Sequence, residues 1–178
     1  MIYVALLRGI NVGGKNKVEM KRLKETFERI GTTDVVTYIN SGNIIFKDTT
    51  HTPKQLVTLL EKAIAEDFGF AVKVLIRDKD NIKMVAKALS DKWVNDATMK
   101  CDVLFLWEDF DTKEVLDLLT IKPDIDDVKY VPGAVLWRVD RPNVTRSGLM
   151  KIFGTEVYAH VTIRNCNTAR KLATLMNS

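Results

Sequence analysis

The sequence predicts an α+β protein with a ferredoxin-like first half of order β-α-β-β-α-β and a smaller α+β C-terminal half. Two observations lead to this prediction. Short apolar runs alternate with segments in which apolar residues recur at helical spacing. Pairs of β-branched runs flank Ser41-Gly42 and Pro132-Gly133, and residues of these types form the turns of hairpins.

A chain of 178 residues is long enough to form two small domains. We place the ferredoxin-like domain at residues 1–78 and the α+β C-terminal domain at residues 79–178. A helical linker is expected over about residues 79–98, because its apolar residues recur at helical spacing at the start of this stretch.

The elements of the first half follow from local pattern. An apolar run at residues 2–8 predicts a buried strand that ends at Gly9. Apolar residues at helical spacing predict a helix that ends at Gly31 and a second helix opened by Pro53. Three further strands are predicted at residues 35–40, 43–48 and 71–77.

The second half shows the same kinds of pattern. Helices are predicted at residues 79–90, 111–119, 149–153 and 166–176, and strands at 101–107, 128–131, 135–139 and 160–163. The order therefore begins β-α-β-β-α, as in the first half, although no internal sequence repeat is visible.

Composition narrows the class of protein. Lys and Arg outnumber Asp and Glu by 27 to 23, a bias too small to establish nucleic-acid binding alone. Basic residues gather at residues 8–24 and 138–170, which would form a positive face if they met.

The two cysteines, Cys101 and Cys166, lie in no CxxC or Cys/His pattern and are expected to be reduced. The first apolar run is too short to span a bilayer, so a cytoplasmic protein without membrane association is expected.

Residues 6–17, LLRGINVGGKNK, come close to the nucleotide-binding pattern G-x-x-x-x-G-K-[ST]. Asn16 stands where that pattern needs a hydroxyl for magnesium, and an amide is a poor substitute. A P-loop also requires parallel βα repeats, whereas this chain is rich in hairpins. Two interpretations remain open: a glycine-rich loop that approaches an anion, or a flexible connection with solvated lysines.

A second polar and basic cluster follows the last predicted hairpin. Ser147 and Lys151 would be neighbours on one face of a helix, the spacing of a Ser–Lys nucleophile pair, but a capped helix start explains them more simply. With Arg141, Asn143 and Arg146, these residues suit an anion site better than a catalytic dyad. His51 and His160 have no second histidine or spaced carboxylate beside them, so neither a metal nor a cofactor is expected.

Three motifs carry a resemblance to a known family. LLRGINVGGKNK, TYINSGNIIF and TIRNCNT together resemble the bacterial "domain of unknown function 1697" family, over essentially the whole chain. The resemblance implies a two-part α+β protein with a ferredoxin-like first half. It implies no established activity, cofactor or catalytic residue. Where this family commonly has an aromatic residue after Arg-Asn, the present chain has Cys166.

Carried over position by position, the motifs suggest one composite site, since their residues are polar or glycine and lie at the ends of predicted elements. Arg146 and Lys151 join them from the second cluster. The candidate ligand-binding residues are therefore Arg8, Gly9, Asn11, Gly13, Gly14, Lys15, Ser41, Gly42, Asn43, Arg146, Lys151, Arg164, Asn165 and Thr168. For Ser41 and Gly42, the steric needs of a hairpin turn are the favoured explanation.

Three functional hypotheses follow. The first is binding of a small ligand that carries a phosphate or a carboxylate. The second is a nucleic-acid-binding module that uses the basic segments. The third is an enzyme acting on a phosphorylated substrate, with Lys15 and Arg164 stabilising developing charge.

Overall fold

Two four-stranded antiparallel sheets organise the chain in a computed structural model that describes residues 1–178. The chain divides into two compact units. The first unit comprises Met1–Asp80 and Thr174–Ser178, and the second comprises Asn81–Ala173. The α+β fold class predicted from the sequence is confirmed.

The first unit has the predicted ferredoxin-like order. Its elements are β1 (Ile2–Leu7), α1 (Met20–Arg29), β2 (Thr33–Tyr38), β3 (Asn43–Lys47), α2 (Pro53–Phe68) and β4 (Val74–Asp78). The strands lie in the order β2-β3-β1-β4, and every neighbouring pair is antiparallel.

The core of the first unit lies between the sheet and its helices. Side chains of alternate residues in β1 point to the same face of the sheet. Ala5 and Leu7 lie on the face that packs against the helices, where both are fully buried. Leu23 and Phe27 from α1 and the apolar stripe of α2 complete the same cluster. Each such large side chain removed from water contributes about 1.5–3 kcal/mol, so burial of these helix faces holds the unit together.

Helix α2 has well-defined ends. Thr52 and Gln55 form a capping box, in which each side chain accepts a hydrogen bond from the backbone N–H of the other. Pro53 occupies the first turn, where its missing N–H costs nothing. Gly69 ends the helix in the left-handed conformation.

The second unit repeats the strand order of the first. Its strands are β5 (Met99–Leu106), β6 (Asp127–Val131), β7 (Ala134–Asp140) and β8 (Val161–Asn165), in the order β6-β7-β5-β8. Thus β5 takes the position of β1, and β8 takes that of β4. The helix α3 (Lys79–Ala88) follows β4, and α4 (Cys166–Met176) follows β8.

The crossovers of the second unit differ from those expected. The helix predicted at residues 111–119 is replaced by two 3-10 segments, Glu108–Phe110 and Lys113–Leu118. Asp111 separates them, because its carboxylate accepts hydrogen bonds from the Tyr130 hydroxyl and the Gly133 N–H, both at 2.8 Å. Between β7 and β8 the chain forms three more 3-10 segments, Arg141–Arg146, Gly148–Lys151 and Val157–His160, where a short helix over residues 149–153 is predicted.

Helix α3 ends at Ala88 and does not continue through the expected linker to residue 98. Ser90 and Asp96 explain the change, because their side chains bond to nearby backbone N–H groups and so favour turns. Ser90 Oγ accepts from the Lys92 N–H at 3.3 Å, and Asp96 Oδ1 accepts from the Thr98 N–H at 2.8 Å. None of the helices combines the length and the apolar character needed to cross a membrane.

Candidate functional site

The predicted site residues fall into both units. Nine of them lie in the first unit, from Arg8 to Asn43, and five lie in the second unit, from Arg146 to Thr168.

The glycine-rich loop of the first unit is a miniature hairpin. Val12 and Lys15 form an isolated β-bridge, and the Lys15 N–H donates to the Val12 carbonyl at 3.0 Å. Gly13 and Gly14 between them have φ of 58° and 73°. Left-handed conformations at both central positions define a type I′ turn, which explains why two glycines stand there.

Asn11 joins this loop to the tip of the β2–β3 hairpin. Its Nδ2 donates to the carbonyls of Asn40 at 2.8 Å and Val18 at 3.0 Å, while its Oδ1 accepts from the Val18 N–H at 2.8 Å. Asn16 closes the other side of the loop, donating from Nδ2 to the Gly9 carbonyl at 3.2 Å. Both asparagines therefore hold the loop in shape through their amides.

The hairpin tip also has a structural explanation. A Cβ on Gly42 would lie 2.7 Å from Ile10 Cδ1 and 2.9 Å from Leu7 Cβ, and its φ is +85°. Asn43 is fully buried, and its Nδ2 donates to the Tyr38 carbonyl and to Ser41 Oγ, each at 2.9 Å. Close packing and turn geometry thus account for the Ser-Gly-Asn sequence.

The end of the first unit around the glycine-rich loop carries cationic side chains together with the acidic Glu19. Lys15 and Lys17 are exposed, and Arg8 is half-buried. An open cavity of about 360 Å³ lies beside them, lined by Asn11, Gly14, Lys17, Val18, Glu19 and Asn40. The loop motif and the hairpin motif therefore meet at one end of this unit.

In the second unit, Ser147 is hydrogen-bonded to the buried carboxylate of Asp126. Its hydroxyl donates to Asp126 Oδ1 at 2.5 Å, and Asp126 also accepts from Trp137 Nε1 at 3.1 Å and from the Gly148 N–H at 2.9 Å. Burial opposes ionisation here, but these hydrogen bonds hold the pKa of Asp126 below its usual value. Arg146 and Lys151, on either side of Ser147 in sequence, are both exposed.

The motif at the end of β8 places its residues on opposite faces of the sheet. Arg164 is buried, and its Nη1 donates to Thr162 Oγ1 at 3.0 Å and to the Ile163 carbonyl at 2.9 Å. Burial lowers the pKa of Arg164 to about 10. The neighbouring Asn165 lies on the other face, where its Oδ1 accepts from the buried Thr168 N–H at 2.9 Å at the start of α4.

Asn165 lines a cavity of about 610 Å³ within the second unit. One part of the wall is polar and the other is apolar. The polar residues are Asn95, Lys100, Asp102, Arg141 and Asn165, and the apolar residues are Val144, Leu149, Met150, Phe153 and Ile163. Arg164 is not among them.

The cavity lies between the sheet and the 3-10 segments that follow β7. Lys100 and Asp102 share a face of β5 with Leu104, a residue of the core on that side. The 3-10 segments contribute Val144, Leu149 and Met150. Short 3-10 segments cover less of a sheet than long helices do, which leaves space at this end.

The electrostatics of the cavity are set by three charged side chains. Lys100 Nζ lies 2.8 Å from Asp102 Oδ2, and the Asp102 side chain is only 6% exposed, so these two charges offset each other. Arg141 is half-buried and donates to neutral acceptors, the Asp96 carbonyl at 2.9 Å and Asn95 Oδ1 at 3.2 Å. No carboxylate of the cavity wall forms an ion pair with Arg141, although the Asp96 carboxylate just outside the wall lies close enough to interact with its charge.

Sequence reasoning found Arg141 and Asn165 but missed Asn95, Lys100 and Asp102. The sequence does contain a pattern that could have identified two of these residues. Lys100 and Asp102 are two positions apart at the start of a strongly apolar strand. Charged residues at period two in such a strand indicate one polar patch on one face. No group of three or more His, Cys, Asp or Glu side chains is placed to hold a metal ion.

Comparison with known proteins agrees with the resemblance seen in the motifs. The model of a family described as "Protein of unknown function (DUF1697)" matches residues 1–137. The solved structure of conserved bacterial protein SP0830 from Streptococcus pneumoniae is similar over 98% of both chains, with a TM-score of 0.82 and 30% sequence identity. No curated protein matches the chain.

Proposed function

Because this chain belongs to the DUF1697 family of unknown function, we propose a function from its own geometry: the cavity of the second unit binds a small organic anion that carries an apolar group. One observation carries the proposal. A cationic guanidinium and an apolar wall border the same cavity of about 610 Å³, a volume typical of small-molecule sites.

Arg141 is the residue that would bind the anion. A guanidinium presents several N–H donors in a plane and suits a carboxylate or a phosphate. Asn95 and the Asp96 carbonyl hold this side chain in place through hydrogen bonds, so little side-chain entropy would be lost on binding.

The charge balance favours a carboxylate over a phosphate. Lys100 and Asp102 offset each other, so Arg141 supplies one net positive charge to the wall, which matches a monoanion better than a dianion. Met150 and Phe153 are 45% and 55% exposed, which is high for apolar side chains of this size. A ligand that covered them would gain apolar burial at about 25 cal/mol per Å².

The experiment is a thermal-shift titration of the full chain with a matched set of small molecules. 3-Phenylpropionate carries both groups, acetate carries only the anion, and 3-phenylpropanol carries only the apolar group. We expect a saturating rise in Tm with 3-phenylpropionate alone. Equal responses to acetate and 3-phenylpropionate would contradict the apolar part of the proposal.

Variants assign the site. Arg141→Met should weaken binding of 3-phenylpropionate about tenfold or more, about 1.4 kcal/mol, since it removes the cation and keeps a similar volume. Phe153→Ala should weaken binding by a smaller factor. Lys15→Met, in the first unit, is the matched control and should leave binding unchanged. A variant set in which Lys15→Met has the larger effect would move the site to the first unit.

A second candidate is phosphate binding at the loop of the first unit. It is favoured by the exposed Lys15 and Lys17 beside a rigid type I′ turn and an open cavity of about 360 Å³. Titration with inorganic phosphate should then stabilise the protein, and Lys15→Met with Lys17→Met should abolish the effect. If a DNA oligonucleotide binds instead, its affinity should fall linearly on a log–log plot against salt concentration.

A further inference from the structure

The two cysteines of the chain are neighbours in the second unit. The β5–β8 ladder pairs Asp102 with Asn165 and Val103 with Arg164. Cys101 and Cys166 are the next residues beyond this last pair, Cys101 still in β5 and Cys166 at the start of α4. The two thiols lie close enough to shift each other's pKa, and both residues are fully buried.

Directly opposed residues of an antiparallel pair have Cα atoms about 4.5–5.5 Å apart. A disulfide requires a Cα separation of about 4.4–6.8 Å. The Asp102–Asn165 pair beside the two cysteines has this spacing, so the backbone brings Cys101 and Cys166 to adjacent positions at the end of the ladder.

Cys166 has the surroundings of a reactive thiol. It is the first residue of α4, and Arg170 Nη1, one turn later, donates to its Sγ at 3.5 Å. The neighbouring Cys101 thiol and the Arg170 charge lower the pKa of Cys166 to about 7, although burial and the Asp102 charge oppose this. The pKa of Cys101 is raised, because of its interaction with Cys166 and because it is buried.

Cys166 also lies close beneath the surface. Its Sγ contacts Asn167 Oδ1 at 3.7 Å and the Trp93 carbonyl at 3.8 Å. Asn167 is exposed, and Trp93 and Arg170 are half-buried. The Cys166 thiol is therefore separated from solvent by the thickness of one side chain.

We propose that Cys101 and Cys166 form a reversible intramolecular disulfide when the protein meets a peroxide. The Cys166 thiolate attacks one oxygen of the peroxide, the O–O bond breaks, and hydroxide leaves, which oxidises the sulfur to a sulfenic acid. The Cys101 sulfur then attacks the sulfenic sulfur, the S–O bond breaks, and water leaves as the Cys101 proton is transferred. In sum, two thiols and one hydrogen peroxide give one disulfide and two waters.

The test is intact-mass analysis of the reduced full chain after a stoichiometric dose of hydrogen peroxide. We expect a monomer lighter by about 2 Da, the mass of the two hydrogens removed on disulfide formation. A non-reducing peptide map should link Cys101 to Cys166, and dithiothreitol should restore the original mass. An unchanged mass, gains of oxygen on cysteine without a disulfide, or a disulfide between two chains would each overturn the proposal.

Variants separate the roles of the two thiols. Cys101→Ser should leave Cys166 as a sulfenic acid that dimedone labels, since no second thiol resolves it. Cys166→Ser should leave Cys101 unmodified at the same dose. Labelling of Cys101 in that variant at the wild-type rate would contradict the assignment of Cys166 as the attacking thiol.

The role of Arg170 is tested by measuring the rate of disulfide formation and its dependence on pH. Arg170→Met should slow disulfide formation about fivefold at pH 7, because less Cys166 is ionised. The midpoint of its rate–pH profile should move above that of the wild type. Lys171→Met, an exposed neighbour on the same helix, is the matched control and should leave both quantities unchanged. An equal midpoint in wild type and Arg170→Met would refute this part of the mechanism.

Discussion

The hydroxyl of Ser147 donates to the carboxylate of Asp126 at 2.5 Å, across 21 residues of sequence. Through this bond the loop before β6 is joined to the 3-10 segment that lines the cavity. The same carboxylate binds the indole of Trp137 and the backbone at Gly148. Asp126 is thus the central acceptor of this part of the second unit.

Replacement of Asp126 by Asn should reduce the free energy of unfolding by about 2 kcal/mol or more. The amide offers only one acceptor oxygen, so buried donors lose their partner or their charge assistance. Urea denaturation measures the change. Asp117→Asn, an exposed carboxylate in the same unit, should change stability by less than about 0.5 kcal/mol.

The Asp126 carboxylate should also contribute to the pH dependence of the free energy of unfolding. The pKa of Asp126 is lower in the folded protein than its ordinary value of 3.8. Its contribution is therefore fully present above pH 3.8 and is lost as the pH falls through the folded-state pKa. Asp126→Asn should show a shallower loss of stability below pH 4 than the wild type does. Parallel curves would show that other carboxylates account for the acid transition.

Replacement of Asn11 tests its role in the loop. Asn11→Gly removes three side-chain hydrogen bonds but keeps the backbone freedom that φ of 54° requires. We expect a loss of about 1–2 kcal/mol in the free energy of unfolding. Asn11→Ala should lose about 1 kcal/mol more, because alanine is strained in the left-handed region. Equal stability of the two variants would exclude the backbone contribution.

Gly42→Ala should be the more damaging of two glycine substitutions. The new Cβ would overlap Ile10 and Leu7, and alanine would also be strained at φ of +85°. Together these effects should cost about 3 kcal/mol. Gly31→Ala has φ of +98° but no atom within 4 Å of its Cβ, so backbone strain alone, about 1 kcal/mol, is expected there. Thermal and urea unfolding of both variants measure the difference.

Ile39→Asn should stabilise the protein. Ile39 has φ of 50°, a conformation that a β-branched residue tolerates poorly, and its side chain is 48% exposed. Asparagine adopts this conformation more readily, so a gain of about 1 kcal/mol is expected. Val36→Asn, which is 47% exposed within β2, is the control and should lower stability. A loss of stability in Ile39→Asn would mean that burial of the isoleucine outweighs its strain.

Much of the fold could be predicted because its signals are local. Leu23 and Phe27 mark a helix face by their spacing, and Gly42 marks a hairpin by its freedom at positive φ. The final helix was predicted at residues 166–176, and α4 has those bounds. The spacing of apolar residues and the residue types that form turns depend only on neighbouring residues, so both could be recognised in the sequence.

The missed features depend on distant partners. Asp111 interrupts a predicted helix because it bonds to Tyr130, which is 19 residues away. The sequence does not distinguish Asp126 from the acidic residues around it, because its hydrogen-bond donors Trp137 and Ser147 come close to it only in the folded unit. The cavity depends on how 3-10 segments cover the sheet, and local pattern does not distinguish such segments from a short helix.

The repeated strand order has a consequence for how this family can vary. A sheet of order 2-3-1-4 holds its strands by ladder hydrogen bonds whichever crossover connects them, so each half tolerates a different substitution load. In the first half, α1 and α2 contribute the core, and their apolar faces are constrained in every relative that keeps this fold. In the second half, the residues after β7 form 3-10 segments that place Leu149, Ile152 and Val157 in the core, so their buried positions are constrained and their exposed positions are not. Exposed residues of these segments, such as Arg146 and Lys151, can therefore vary among relatives without any change to the strand order.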